Sequence, residues 1–200
     1  MIASSDYKFV LLCNPKTATT AFESAYNRYA DFRLGPRPKW KHINYRKYKN
    51  IFGDYFEHEG CDVYVVVRHP ISTLVSWYSY RARSEIADPT HANYVNYTGG
   101  MSFERFVDEW SRPNAPSFAR VTNFMDFCST EDKKLAPLKY FRFEDIGRLN
   151  EVLSSKVGAD VQLPVVNRSS SATVDYDRDA VSRVPRMARL IEAYEGIRFE

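Results

Sequence analysis

The stretch Phe9–Thr20 constrains the fold of this chain more than any other. It opens with five apolar residues, Phe9–Cys13, a run that is too short for a helix and is soon followed by a proline. Such a run predicts a buried strand of a parallel sheet. Beyond the run, apolar residues recur at helical spacing: Ala21, Phe22, Ala25, Tyr26 and Tyr29. We therefore expect a strand that passes through a short loop into the N-terminus of a helix.

Lys16 to Thr20 stand at the predicted start of this helix. Backbone N–H groups and a partial positive charge of about half a unit make such a helix end attractive to anions. Thr20 and Glu23 also fit a capping box, which gives the threonine a purely structural explanation. Capping does not explain Lys16, whose ammonium group suits an oxyanion. The loop therefore predicts phosphate-type chemistry.

The nucleotide-binding P-loop, G-x-x-x-x-G-K-[ST], is the obvious comparison for this loop. Its glycines let the backbone wrap around phosphates, but this chain has no glycine before Gly35. A Walker-type kinase would also need an acidic magnesium ligand at the end of a strand, where this chain has Arg68. A kinase that uses ATP and magnesium is therefore the less favoured alternative.

A second strand-to-helix stretch begins at Asp62. The valine-rich run 62–68 predicts another buried strand, and Pro70 stands where the first residue of a helix over 70–84 is expected. Arg68 then lies at the C-terminal end of the strand, and Ser76 lies about two turns into the helix. The purely structural alternatives are an arginine that caps a strand and a serine on a helix surface.

Together the two stretches resemble the PAPS-dependent sulfotransferases, of the carbohydrate-type and bacterial kind. Pro15-Lys16-Thr17-Ala18-Thr19-Thr20 is similar to the loop that binds the phosphosulfate of 3′-phosphoadenosine 5′-phosphosulfate (PAPS). The spacing R-x-P-x-x-x-x-x-S-x-Y, here Arg68 to Tyr78, resembles the segment that binds the 3′-phosphate. The resemblance implies an α/β, three-layer P-loop NTPase-like fold with a central, mainly parallel sheet flanked by helices. It also implies transfer of the sulfuryl group from PAPS to an acceptor hydroxyl by in-line displacement, without a metal, leaving adenosine 3′,5′-bisphosphate.

The resemblance assigns PAPS binding to particular residues of this chain. Those of the loop are Pro15, Lys16, Thr17, Ala18, Thr19 and Thr20, and those of the 3′-phosphate site are Arg68 and Ser76. Arg168 and Ser169 belong to an Asn-x-Ser loop that resembles one closing over the nucleotide, against the alternative of a plain surface loop. Ala18 departs from the family pattern, since many members carry glycine there, and its methyl group restricts how closely the backbone approaches a sulfate.

The predicted catalytic residues are Lys16 and His42. Lys16 would stabilise the leaving phosphate. An acceptor hydroxyl needs a general base whose pKa lies near the working pH, which favours histidine. His42 follows the second connector, where several sulfotransferases place their catalytic histidine, and its basic neighbours would keep it neutral. The alternative is a surface histidine in a basic patch.

Charge is unevenly distributed, although the formal net charge is only +3. No acid occurs between Asp31 and Asp54, whereas this basic stretch holds Arg33, Arg37, Lys39, Lys41, Arg46, Lys47 and Lys49. Such a stretch favours an anionic nucleotide and a carbohydrate-like or anionic acceptor. Because tyrosines alternate with the basic residues, a non-catalytic domain that binds nucleic acid or an anionic glycan is the second alternative. No nucleic-acid partner is expected of the sulfotransferase, and the sequence leaves its oligomeric state open.

The length of 200 residues predicts a single sulfotransferase domain, 1–200. The polar, turn-rich stretch 84–102 is expected to be an insertion or lid on the acceptor side. No apolar run approaches a membrane span and no signal-peptide pattern precedes the first strand, so we expect a soluble, cytoplasmic protein without a membrane segment. The sequence also predicts a polar lead over 1–7 and a strand over 138–143. A further helix is expected to start at Ser102, and others are expected over 20–31, 44–56, 118–128 and 177–195. Pro185 should split or kink the last of these helices.

Overall fold

The computed structural model describes residues 1–35, 37–165 and 174–200 of the chain. Within them it is an α/β protein with one open, mixed, five-stranded sheet in the order β3-β1-β2-β4-β5. The strands are β1 (Ile2–Ser4), β2 (Phe9–Leu12), β3 (Phe32–Arg33), β4 (Asp62–Val67) and β5 (Lys139–Arg142). Neighbours β2, β4 and β5 run parallel, whereas β1 runs antiparallel to both β2 and β3. The predicted α/β class is confirmed. The sheet is mixed, with two parallel and two antiparallel neighbour pairs, where a mainly parallel sheet was expected.

The described residues form ten α-helices. They are α1 (Thr19–Tyr26), α2 (Pro38–Lys41), α3 (Tyr45–Tyr48), α4 (Asp54–His58), α5 (Pro70–Arg81), α6 (Phe103–Ser111), α7 (Phe124–Cys128), α8 (Ile146–Val157), α9 (Arg178–Arg183) and α10 (Pro185–Glu195). Single 3-10 turns occupy Asn27–Tyr29, Ser84–Ala87, Tyr94–Asn96, Ser117–Ala119 and Phe143–Asp145, and a π-helical turn occupies Lys49–Gly53.

The chain divides into two compact units. Among the described residues the first unit comprises 1–68, 124–165 and 197–200 and contains the whole sheet. Its core joins one face of the central strands to the buried sides of α1 and α8 through Phe9, Leu11, Phe22, Tyr26, Tyr64, Val66, Phe141, Leu149 and Leu153. All four residues of β2 are buried, so both faces of this strand are covered, as its unbroken apolar run predicts.

The second unit comprises 69–123 and, from 174 onwards, residues up to 196, and it is helical. Tyr78 of α5 contacts the rings of Phe103 and Phe106 on α6, with centroid separations of 5.3 and 5.6 Å. On α10, the Arg186 guanidinium lies 4.6 Å from the ring centroid of Trp110. Aromatic contacts between helices therefore supply much of the packing in this unit.

The predicted helix starts at two prolines and one serine are confirmed in this helical unit. Pro70 is the first residue of α5, and Pro185 begins α10, which separates it from α9 as predicted. Ser102 caps α6, its Oγ accepting from the backbone N–H of Arg105 at 3.3 Å. Local sequence rules are sufficient at these three positions because each acts within one helical turn.

The expected polar lead over 1–7 is wrong. Ile2–Ser4 is a buried strand that pairs with both β2 and β3, joined to β2 by a turn in which Lys8 has a left-handed φ of 55°. Its three residues are too few to show an alternation in sequence, and their burial depends on partners that lie later in the chain. The two-residue β3 escaped prediction for the same reason.

The expected helix over 118–128 is also wrong over its first half. Arg81, which is only 7% exposed, donates from its guanidinium to the carbonyl oxygens of Ser117, Phe118 and Arg120. Those carbonyls would otherwise accept the bonds of a helix, so the segment forms a 3-10 turn and only α7 remains helical. Burial lowers the pKa of Arg81 to about 10. The single helix expected over 44–56 is interrupted by the π-helical turn at Lys49–Gly53.

Candidate functional site

The loop between β2 and α1, residues 13–18, is fixed by two buried hydrogen bonds. The side-chain amide of Asn14 donates to the carbonyl oxygen of Val66 in β4 at 3.0 Å. The Thr17 hydroxyl donates to the carbonyl oxygen of Asn14 at 2.8 Å. Asn14 is 6% and Thr17 is 2% exposed, so neither bond is open to competition from bulk water. The loop is therefore held in one shape before any ligand binds.

The backbone of this loop is unusual at two non-glycine residues. Lys16 and Ala18 have left-handed φ values of 67° and 57°, whereas Thr17 between them does not have a positive φ. The left-handed conformation costs a non-glycine residue about 1–2 kcal/mol. An alternation of this kind turns successive N–H groups towards one side and forms a concavity suited to an anion. Strain of this type is concentrated at binding sites, where surrounding bonds enforce it.

Helix α1 begins directly after the loop, at Thr19, and no side chain among the described residues caps it. The predicted capping box of Thr20 and Glu23 is wrong. Thr20 lies inside the first turn, where its hydroxyl accepts from Lys41 Nζ at 3.2 Å, and Glu23 lies further along the helix. The first turn holds no acid, so no side chain of this turn neutralises the positive end of the helix dipole. The backbone N–H groups of Ala21 and Phe22 already donate to the Ala18 carbonyl oxygen, at 2.9 and 3.4 Å.

His42 lies against the strand end that precedes the loop. Its Nδ1 is 2.6 Å from the carbonyl oxygen of Cys13, and because a carbonyl can only accept, Nδ1 carries the proton. Nε2 of the neutral ring is then the basic nitrogen. Burial lowers the pKa of His42 below 6.5, and the charge of Lys41 lowers it further, while the bond to Cys13 opposes them. A half-buried, neutral imidazole of defined tautomer has the properties of a general base.

The one-turn helix α2 places His42 there. Pro38 starts this helix, and the backbone N–H of His42 ends it by donating to the Pro38 carbonyl oxygen at 3.0 Å. Asn44 then caps α3, its Oδ1 accepting from the N–H of Lys47 at 3.1 Å. The buried Ile43 stands between the two helices. Both sides of His42 are thus fixed by short-range bonds.

Lys41 and Glu23 form an ion pair next to this histidine that sequence reasoning missed. Lys41 Nζ is 2.6 Å from Glu23 Oε2, and the Glu23 side chain is 7% exposed. The signal was present in the sequence, because Glu23 is an acid on the apolar side of a helix, between Phe22 and Tyr26. An acid in that position needs a cationic partner when it is buried.

Arg68 follows β4 directly. The register pairs Leu12 of β2 with Val65 of β4, so the loop and Arg68 leave the carboxyl ends of neighbouring parallel strands, the edge at which α/β sheets bind ligands. The Arg68 guanidinium lies 4.4 Å from the ring centroid of Phe143. Burial lowers the pKa of the Arg68 guanidinium below its usual range, and the charge of Glu144 opposes this shift.

The structure places the predicted residues unequally. Lys16 is partly exposed and Thr20 is exposed, whereas Pro15, Thr17 and Thr19 are buried. The loop, His42 and Arg68 all belong to the first unit. Ser76 is 6% exposed and lies in α5, in the second unit, and Arg168 and Ser169 lie outside the described residues. Their predicted roles stay predictions.

Three other observations complete the description. Within residues 1–35, 37–165 and 174–200 no three His, Cys, Asp or Glu side chains form a group that could hold a metal ion. In the same part of the chain, no helix combines the length and apolar character needed to cross a membrane. An open depression of about 440 Å³ lies beside α8, between Asn150 and Asp160, and contains none of the predicted site residues.

Comparison with protein-family models, with curated proteins and with solved structures gave no match for this chain.

Proposed function

We propose that this chain is a PAPS-dependent sulfotransferase with a three-layer, P-loop NTPase-like fold. One observation carries the proposal: the His42 ring is fixed, with Nε2 basic, on the strand end from which the Lys16 loop departs. Sulfuryl transfer to a hydroxyl requires a base for the hydroxyl proton and cationic stabilisation of a leaving phosphate. Lys16, which follows β2, and His42, whose ring bonds to Cys13 at the end of β2, are the residues proposed for these two roles.

The loop fits an anionic phosphosulfate group. Lys16 is partly exposed, alternating φ signs orient the loop N–H groups, and α1 presents an uncapped first turn without an acid. Negative charge spreads over the equatorial oxygens and builds on the leaving phosphate during in-line transfer, so these groups would stabilise the transition state more than the ground state. His42 Nε2 would take the proton of the acceptor hydroxyl.

The cation at the end of β4 favours a 3′-phosphorylated nucleotide over ATP. A kinase of the Walker type needs a carboxylate for magnesium at such a strand end, and this chain has Arg68. Arg68 is the proposed ligand of the 3′-phosphate in the first unit. The roles predicted for Ser76, Arg168 and Ser169 stay predictions. The basic stretch before and after His42 supports a carbohydrate-like or anionic acceptor.

Thermal unfolding in the presence of nucleotides tests the proposal directly. Adenosine 3′,5′-bisphosphate at about a hundred times its Kd should stabilise the chain by about 2.7 kcal/mol, whereas AMP at the same concentration should do much less. Transfer of labelled sulfate from PAPS to a panel of sugar and phenol hydroxyls follows. Stabilisation by ATP with magnesium alone would favour the kinase, and no response to any nucleotide would favour the non-catalytic domain.

A further inference from the structure

Two neighbouring side chains, Lys41 and His42, contact the two elements that flank the loop. His42 Nδ1 bonds to the carbonyl oxygen of Cys13, before the loop, and Lys41 Nζ contacts Thr20 and Glu23 of α1, after it. The segment 41–42 therefore joins the end of β2 to the start of α1. Because the two residues share a peptide bond, the two side-chain attachments act together with the main-chain bonds of this segment. These are the His42 N–H to the Pro38 carbonyl oxygen at 3.0 Å and the Met1 ammonium to the Lys41 carbonyl oxygen at 2.7 Å.

Glu23 is the fixed end of this attachment. Its carboxylate is buried, with Lys41 Nζ at 2.6 Å from Oε2 and the Cys13 thiol at 3.7 Å from Oε1. A buried carboxylate is tolerated only when charged or hydrogen-bonding partners surround it. Lys41 is the lysine that contacts it, and the Lys41 side chain is 20% exposed. The need to neutralise Glu23 therefore holds Lys41 in one place.

We propose that Glu23 and Lys41 are positioning residues, which act as a clamp that keeps His42 Nδ1 on the Cys13 carbonyl and so keeps Nε2 as the basic nitrogen. The inference rests on the proposed function for its catalytic meaning. Neither residue needs to contact the substrates. The Cys13 carbonyl oxygen would take the part that a buried carboxylate plays for the histidine of a hydrolase triad, and the clamp would hold the ring on that oxygen.

The tautomer itself is measurable without substrates. In protein labelled with 15N-histidine, the wild-type chain should show His42 as the Nδ1–H tautomer, with the resonance assigned by its loss in His42→Gln. Lys41→Met and Glu23→Gln should each produce a mixture of the two neutral tautomers, and Lys41→Arg should restore the wild-type signal. Lys8→Met is the matched control, because it removes the exposed Lys8–Glu59 ion pair of 3.0 Å at the other end of β2.

The kinetics of sulfate transfer give the second measurement. Lys41→Met should lower kcat by about tenfold or more and change KM for PAPS by less than about threefold, because the base acts in the chemical step. The double variant Glu23→Gln/Lys41→Met should lose no more than Lys41→Met alone, since both changes break one interaction. Glu23→Gln preserves side-chain size, so it keeps the test valid if Lys41→Met does not fold.

Opposite results would overturn the clamp. A wild-type His42 that is not the Nδ1–H tautomer, or variants of Glu23 and Lys41 that keep both the wild-type tautomer and the wild-type kcat, would exclude it. A wild-type chain that transfers no sulfate and binds no bisphosphate would instead overturn the proposed function. The spectroscopic result would still decide the clamp in that case, so the two failures are distinguishable.

Discussion

The side-chain amide of Asn14 donates to the carbonyl oxygen of Val66 at 3.0 Å, and this bond joins the start of the loop to the strand that ends beside Arg68. It is buried, and it fixes the spacing between two predicted anion ligands, the Lys16 loop and Arg68. Asn14 thus serves both stability and the site.

Asn14→Leu should test both roles. The change removes the Asn14 donor from the carbonyl oxygen of the buried Val66 and should lower the free energy of unfolding by about 1–3 kcal/mol in urea titrations. It should also weaken binding of adenosine 3′,5′-bisphosphate, measured by calorimetry. Asn150→Leu is the control. Asn150 lies on α8, and its side-chain amide likewise donates to a backbone carbonyl oxygen, that of Val161 at 2.7 Å. Equal losses of affinity in the two variants would contradict a specific role for Asn14.

Lys16→Ala should abolish transfer and leave the fold intact. Removal of one preorganised hydrogen-bond donor from a developing oxyanion costs about 10²–10³ in kcat, and Lys16 would supply both a donor and a charge. Lys8→Ala is a close control, because Lys8 is also a lysine with a left-handed φ, 55° against 67° for Lys16, so both substitutions change the backbone in the same way. The measurement is sulfate transfer together with the thermal midpoint. Unchanged turnover in Lys16→Ala would remove this lysine from the mechanism.

Arg68→Ala should selectively weaken the binding of 3′-phosphorylated nucleotides. A hydrogen bond to a charged group contributes about 1.5–3 kcal/mol, so affinity for adenosine 3′,5′-bisphosphate should fall at least about tenfold while affinity for AMP stays constant. Arg142→Ala is the comparison, because Arg142 ends the neighbouring strand β5 and its guanidinium also lies over a ring, 4.6 Å from the Phe199 centroid. Equal losses for AMP and the bisphosphate would exclude recognition of the 3′-phosphate.

Ala18→Gly should not destabilise the chain, because residue 18 has a left-handed φ of 57° that glycine adopts without strain. The relief of about 1–2 kcal/mol outweighs the entropy that glycine adds to the unfolded chain, about 0.4–1 kcal/mol. Ala25→Gly, inside α1, should instead lose about 1 kcal/mol. Urea titrations compare the two. Equal destabilisation would show that residue 18 is not left-handed in solution.

Sequence reasoning succeeded where the signal lies within a few residues. The strands before the loop and before Arg68, the proline that starts α5 and the serine that caps α6 were all predicted. Glu23 shows where it failed: the spacing to Thr20 satisfied a local capping rule, but a cation from a different helix, Lys41, takes the carboxylate. Arg81 shows the same limit, because its bonds to three carbonyls prevent a helix that the local pattern favours. Tertiary partners outweigh local propensity at such positions.

The lowered pKa of His42 gives a prediction about pH. In the proposed mechanism the neutral ring is the base, so kcat/KM should rise with pH along an acid limb whose apparent pKa lies below 6.5 and should be flat above it. The free energy of unfolding should also rise with pH over this range. The unfolded chain binds the proton more readily, so the contribution of His42 is complete above about pH 6.5 and is lost as pH falls through the lowered pKa.

His42→Gln should remove this pH dependence from both the rate and the free energy of unfolding, while His58→Gln, a change at an exposed histidine, should preserve it. Rate profiles and urea titrations from pH 5 to 8 make the comparison. An acid limb that persists in His42→Gln would assign the base to another group. A limb with an apparent pKa above 6.5 would mean that the ring is not held neutral by burial, and the bond between Nδ1 and the Cys13 carbonyl would then be that of a charged imidazolium.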